Sequence, residues 1–207
     1  MTTQTLSADA APRRRSPQAE DSGQVRVWDP LVRVFHWSLV AAFATAFVVE
    51  DDLLGVHVWA GYLILALIAL RLVWGVAGSR HARFTDFVQG PRQVLAYLRQ
   101  SLRLQAPRHL GHNPLGGVMV VALLVLVGVT GVSGMALYGA QELSGPLAGL
   151  MSTAPPAVGE ALEETHEVLA NLTLVFIVAH VAGVLFSSFA HRENLIGSMF
   201  TGRKRRS

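Results

Sequence analysis

The chain has 207 residues, 51% of them hydrophobic and 15% charged, with a mean hydropathy of +0.40. A soluble domain carries about 25% charged residues, so this balance argues against a freely soluble enzyme. The formal charge of +3 and pI of 9.9 would suit a nucleic-acid binder only if the basic residues were clustered for that purpose, and the lack of cysteine excludes disulfides, thiolate iron–sulfur clusters and Cys-x-x-Cys-His haem attachment.

Residues 1–26 are polar and rich in Ala, Arg, Ser and Pro, and read as a disordered tail. The triplet Arg13-Arg14-Arg15 is not followed by a short apolar region and a small-residue cleavage site, so the first apolar run reads as an uncleaved anchor. Four apolar segments follow, at about Leu31 to Val49, Leu54 to Val76, Leu115 to Tyr138 and His166 to Phe189. Each reaches the roughly 20 residues a helix needs to cross the hydrocarbon core, and none alternates as a barrel strand would. The expected fold is all-α, a transmembrane four-helix bundle formed by residues 27–200, with a basic tail at 201–207.

Between the second and third spans, Val94, Leu95, Leu98, Leu102 and Leu104 recur among arginines after Pro91. That pattern predicts an amphipathic helix lying on the cytoplasmic surface. Pro146 and Pro155-Pro156 predict an irregular periplasmic loop over Gly139 to Thr165. All 17 basic residues lie before or at the start of span one, between the end of span two and span three, or after span four. The other two connections carry Glu50, Asp51, Asp52, Glu142, Glu160, Glu163 and Glu164 instead. By the positive-inside rule both termini are cytoplasmic, and the basic charge is a topology signal rather than a nucleic-acid footprint.

Ionisable residues at membrane depth mark functional sites by default. The spans hold four histidines: His36 in the first, His57 opening the second, and His166 and His180 in the fourth. The fourteen residues from His166 to His180 fall about 40° short of four turns, so both share a face some 21 Å apart along the axis. Imposing the topology puts His36 level with His180 and His57 level with His166. Two facing imidazoles at each of two depths suit two bis-histidine haems stacked across the membrane. A lone intramembrane histidine reads equally as a helix–helix hydrogen bond. Zinc or copper is disfavoured because carboxylates and thiolates are lacking nearby.

Gly128, Gly131 and Gly134 in the third span, with Gly61 and Gly183 one turn after His57 and His180, leave room for a flat macrocycle or for close helix packing. Arg33 and Arg71 are candidates for haem propionates and also read as positive-inside anchors. His109 and His112 could bind a cytoplasmic metal, though they read more simply as loop histidines; His81 and His191 read as interfacial.

Several fragments together resemble the bacterial cytochrome b561 and nickel-iron hydrogenase cytochrome b-subunit family. They are Trp28-Asp29-Pro30 with Arg33 and Phe35-His36-Trp37, His57-Val-Trp-Ala-Gly61-Tyr62, Arg71, His109-Leu-Gly-His112-Asn113-Pro114, Thr165-His166-Glu167, Ala170-Asn171, His180 and His191-Arg192-Glu193-Asn194. The resemblance spans about Val27 to Arg206. It implies a b-type cytochrome of the inner membrane with two non-covalent haems b, ligated by His36, His57, His166 and His180. Such proteins pass electrons between the quinone pool and a redox partner, and His112 could touch a haem edge or a quinone. A periplasmic cytochrome c docking on the acidic 139–165 loop, or a hydrogenase or dehydrogenase complex, would serve as partner. A quinone-reacting oxidoreductase that oxidises superoxide, and a haem-free transporter or assembly subunit, are the competing functions.

Overall fold

The computed structural model describes residues 23–49 and 53–206. Four long helices dominate: α1 (Pro30–Val49), α2 (Leu54–Ala77), a later helix at Pro114–Gln141 and the last at Pro156–Ala190. The first three lie within a few residues of the predicted spans. The acidic residues Glu50, Asp51 and Asp52 fall outside the described residues.

Between the second and third spans come a 3-10 turn (Arg80–Ala82) and two short α-helices, α3 (Phe84–Phe87) and α4 (Pro91–Leu102). α4 is the predicted amphipathic helix. Pro91 occupies its first turn, where a missing N–H costs nothing. Tyr97 turns inward, while Leu95, Leu98 and Leu102 stay exposed among Arg92 and Arg99. The third span, α5 (Pro114–Gln141), is capped by Asn113, whose side chain accepts from Gly116 N at 2.7 Å.

The 139–165 region departs from the predicted irregular loop. A short helix α6 (Ala148–Met151) precedes the 35-residue α7 (Pro156–Ala190), which starts ten residues before His166. Pro155 sits at the cap and Pro156 at the first helical position, so the proline pair starts a helix here. Ala161, Leu162, Glu163 and Glu164 are good helix formers and continue it. At about 1.5 Å per residue α7 is roughly 52 Å long, well beyond a 30 Å hydrocarbon core. Its first turns, with exposed Glu160, Glu163 and Glu164, therefore project from the membrane as a helix.

At the opposite end, α8 (Leu195–Thr201) leads into the strand β2 (Arg203–Arg205), which pairs antiparallel with β1 (Gln24–Arg26). The segments expected as free tails at 1–26 and 201–207 thus meet at these residues. Lys204 points inward, 5% exposed, with Nζ 3.6 Å from Glu193, and Arg108 Nη2 holds the same carboxylate at 2.8 Å. Glu193 is held below the usual carboxylate range: burial alone would raise it, but the hydrogen bond from Arg108 and the charge of Lys204 outweigh burial.

The apolar core lies among three helices: Phe35 and Ala42 of α1, Ile64 and Ile68 of α2, Leu124 and Val127 of α5. α1 packs along α2, α2 on α5, and α5 on α7. Among the described residues α7 has no comparable packing against α1 or α2. It is fastened to α5 by polar contacts, Thr173 Oγ1 lying 3.2 Å from Thr130 Oγ1. An interhelical cleft among α2, α5 and α7 is lined by His57 and His166.

Candidate functional site

His57 opens α2 and His166 lies ten residues into α7, so the two reach the cleft from opposite walls at one level. Their ring centres are 6.0 Å apart, with planes at 77°. Each ring is oriented through Nδ1. His57 Nδ1 donates to Ala46 O of α1 at 2.9 Å; His166 Nδ1 donates to Thr130 O at 3.0 Å and lies 3.0 Å from Ser133 Oγ. Ser133 itself donates to Thr130 O at 2.8 Å. Anchoring Nδ1 on a carbonyl fixes the tautomer and leaves Nε2 as the ligand-competent nitrogen.

A cavity of about 50 Å³ joins these rings, lined also by Gly61, Tyr62, Gly131, Gly134, Met135 and Tyr138. Nothing lies within 4 Å of where a Gly61 Cβ would project. A Cβ at Gly134 would fall 2.7 Å from His166 Cε1, so glycine there is what lets the imidazole lie against α5. Gly131 faces Leu65 at 2.8 Å in the same sense. Gly128 faces Ile68 at 3.8 Å within the α2–α5 packing, and Gly183 has open space. Tyr62 Oη is buried without a partner beside the cavity.

The second level holds His36 of α1 and His180 of α7, which lie within electrostatic reach of each other. His36 Nδ1 is buried with no hydrogen-bond partner, a costly state for a polar atom unless something binds it. Arg71, 3% exposed, donates through Nη2 to Ala82 O at 3.0 Å and stands 5.1 Å from the Phe84 ring centre. Its Nη1 is buried and unpartnered. Arg33 points elsewhere, lining a separate cavity with Trp37 and Phe200.

His112 joins this end of the bundle. Its ring packs between Trp28 at 4.7 Å and Phe87 at 4.8 Å, and its Nδ1 too is buried without a partner. Burial, reinforced by the charges of Arg71 and Lys204, pushes its pKa down to about 3. His109 turns away from it: its Nδ1 donates to Pro107 O at 3.0 Å and its ring packs edge-on against Tyr97. His81 pairs with Asp86 at 2.9 Å. Among the described residues no group of three or more His, Asp or Glu side chains converges on a bare-ion site.

Thr130, Ser133 and the Ala46 carbonyl were not singled out from the sequence. The two hydroxyls carried a signal, being polar residues in an otherwise apolar third span.

A polytopic bundle with imidazoles facing one another across an interhelical cleft belongs to the class of membrane proteins that bind a redox cofactor between helices. Residues 27–202 match the prokaryotic cytochrome b561 family, and the chain belongs to it. It is a multi-pass membrane cytochrome b of electron transfer, and its cofactor is haem b. The chain is 24% identical to a probable Ni/Fe-hydrogenase B-type cytochrome subunit of Rhizobium leguminosarum bv. viciae, over 97% of this chain and 95% of that protein. A protein of the same description from Azotobacter chroococcum mcd 1 is 25% identical, over 86% and 87% respectively. No solved structure matches.

Proposed function

We propose that the chain is a dihaem cytochrome b of the bacterial inner membrane, with both termini cytoplasmic, that carries electrons between the quinone pool and a redox partner. His57 and His166 would hold one haem and His36 and His180 the other. The observation that carries this reading is the His57–His166 pair. Their ring centres lie 6.0 Å apart, a spacing at which both imidazoles could hold one metal between them. The donor set fits as well: each of these rings spends Nδ1 on a carbonyl and keeps Nε2 for iron.

When bound, such a haem would be held by these imidazoles and would supply a one-electron iron(III)/iron(II) couple. The protein's part is to orient the imidazoles, exclude water and set the potential. Ala46, Thr130 and Ser133 act on imidazole basicity through Nδ1. Arg71 Nη1, a buried donor lacking an acceptor, suits a propionate at the basic end. Gly61 leaves clear space at the His57 level.

The partner named in the relatives' descriptions is a Ni/Fe hydrogenase, and a hydrogenase complex is the partner we assign. The exposed acidic turns of α7 offer a docking surface just beyond His166.

The test is a reduced-minus-oxidised spectrum of the purified protein with haem quantified, followed by reduction with a quinol. The reading predicts a b-type spectrum and quinol reduction of the haem. A fully haem-reconstituted preparation without b-type absorbance, or solute flux indifferent to haem depletion, would support the transporter instead.

A further inference from the structure

A second cavity, of about 290 Å³, lies at the basic end between α1 and α8, lined by Arg33, Val34, Trp37, Ser38, Met199 and Phe200. Its volume is close to the lower end for small-ligand sites, roughly 300 Å³. None of the four intramembrane histidines lines it.

Two donors there lack acceptors. Arg33 Nε and Trp37 Nε1 are both buried with no hydrogen-bond partner. Asp29, one helical turn before Arg33, is not available to it. Asp29 Oδ1 accepts from Val32 N at 2.8 Å, and Oδ2 accepts from Trp74 Nε1 at 3.1 Å and from Ser79 Oγ. Among the described residues Arg33 enters no ion pair and no acidic side chain lines the cavity, so the half-buried guanidinium there has no counter-charge. Apart from Ser38 the rest of the lining is apolar: Trp37 stacks on Phe200 with ring centres 4.3 Å apart, and Val34 and Phe200 are 67% and 56% exposed. Arg203 and Arg205 of β2 are exposed a few residues beyond Phe200.

We propose that this cavity is a binding site for an anionic phospholipid, with the phosphodiester accepting from Arg33 Nε and Trp37 Nε1 and the acyl chains leaving over Val34 and Phe200. The charge of Arg33 selects an anion, and the two N–H groups match two oxygens of one phosphate. Basic pockets between helices at the membrane surface, flanked by an interfacial tryptophan, recognise lipid headgroups in this way. A neutral quinone would leave the cation uncompensated.

The probes are phosphatidylglycerol, phosphatidylcholine, inorganic phosphate and a short-chain ubiquinone, each added to the delipidated full-length protein in detergent. Binding is read by native mass spectrometry and by the thermal unfolding midpoint. Phosphatidylglycerol is expected to bind and raise the midpoint well above phosphatidylcholine, with free phosphate and quinone inert. Trp37→Phe keeps the stack and removes one donor, so phosphatidylglycerol retention should fall roughly tenfold. Phe200→Leu, which leaves both donors, should keep the preference for the anionic lipid. Equal binding of the two lipids, full retention in Trp37→Phe, or displacement by quinone overturns the proposal. None of these readouts depends on haem.

Discussion

His57 and His166 face each other with ring centres 6.0 Å apart although 109 residues separate them in the chain, and each is anchored at Nδ1 to a main-chain carbonyl of a neighbouring helix, Ala46 or Thr130. An imidazole held in this way is ready to ligate through Nε2 without first losing rotamer freedom.

Ser133 tests the anchoring. Ser133→Ala removes one of the two oxygens at His166 Nδ1 and leaves Thr130 O. With less withdrawal of the Nδ1 proton, the imidazole becomes a poorer donor to oxidised iron. The haem at that level should be retained, with its potential raised by roughly 20–60 mV. Potentiometric titration of the variant checks this, and an unchanged potential would remove Ser133 from the site.

The α5 glycines should not respond alike. Gly134→Ala drives a methyl to 2.7 Å from the His166 ring and should cost the haem at that level. Gly128→Ala meets only Ile68 at 3.8 Å and should be neutral or up to about 1 kcal/mol stabilising, from helix propensity. Haem content and thermal midpoints of the two variants separate these outcomes.

Acid should loosen the basic end. His112 has a pKa of about 3 in the folded chain against 6.5 when unfolded, so between those values the unfolded chain binds the extra proton and stability falls as pH falls. Glu193, also depressed, contributes stability present above its ordinary value that is lost as pH falls through its folded value. Both act in the same direction. His112→Gln should therefore flatten the decline of the thermal midpoint between pH 6.5 and about 4 relative to the parent.

Glu193 also holds the terminal strands. Glu193→Gln leaves Lys204 buried without a counter-charge and should cost about 3 kcal/mol. Hydrogen exchange should rise first at residues 24–26 and 203–205, with the spans unaffected.

Much of this was legible in the sequence because the membrane simplifies the code. Uninterrupted apolar runs gave three helices within a few residues. The start of α7 is less legible because a Pro-Pro pair signals a loop as readily as a first helical turn, and only the helix formers after Pro156 tip the balance. The pairing of Gln24–Arg26 with Arg203–Arg205 joins residues about 180 positions apart through backbone hydrogen bonds, for which no local pattern exists. The anchors of His57 and His166 were hidden for a related reason. Ala46 contributes only a carbonyl, and which carbonyl meets a given imidazole depends on the rotation of neighbouring helices. Arg33, read as a propionate partner from its place one turn before His36, lines a different cavity because its side chain runs toward Gly202, whose absent Cβ leaves the room.

The most direct test of two paired sites is haem per polypeptide in ligand variants combined two at a time. The parent should hold two haems, and each of His36→Ala, His57→Ala, His166→Ala and His180→Ala should hold one. Combining His36→Ala with His180→Ala, or His57→Ala with His166→Ala, should still leave one, whereas His36→Ala with His57→Ala should leave none. A single haem in the parent, or one surviving haem in the His36→Ala/His57→Ala double variant, would contradict the assignment.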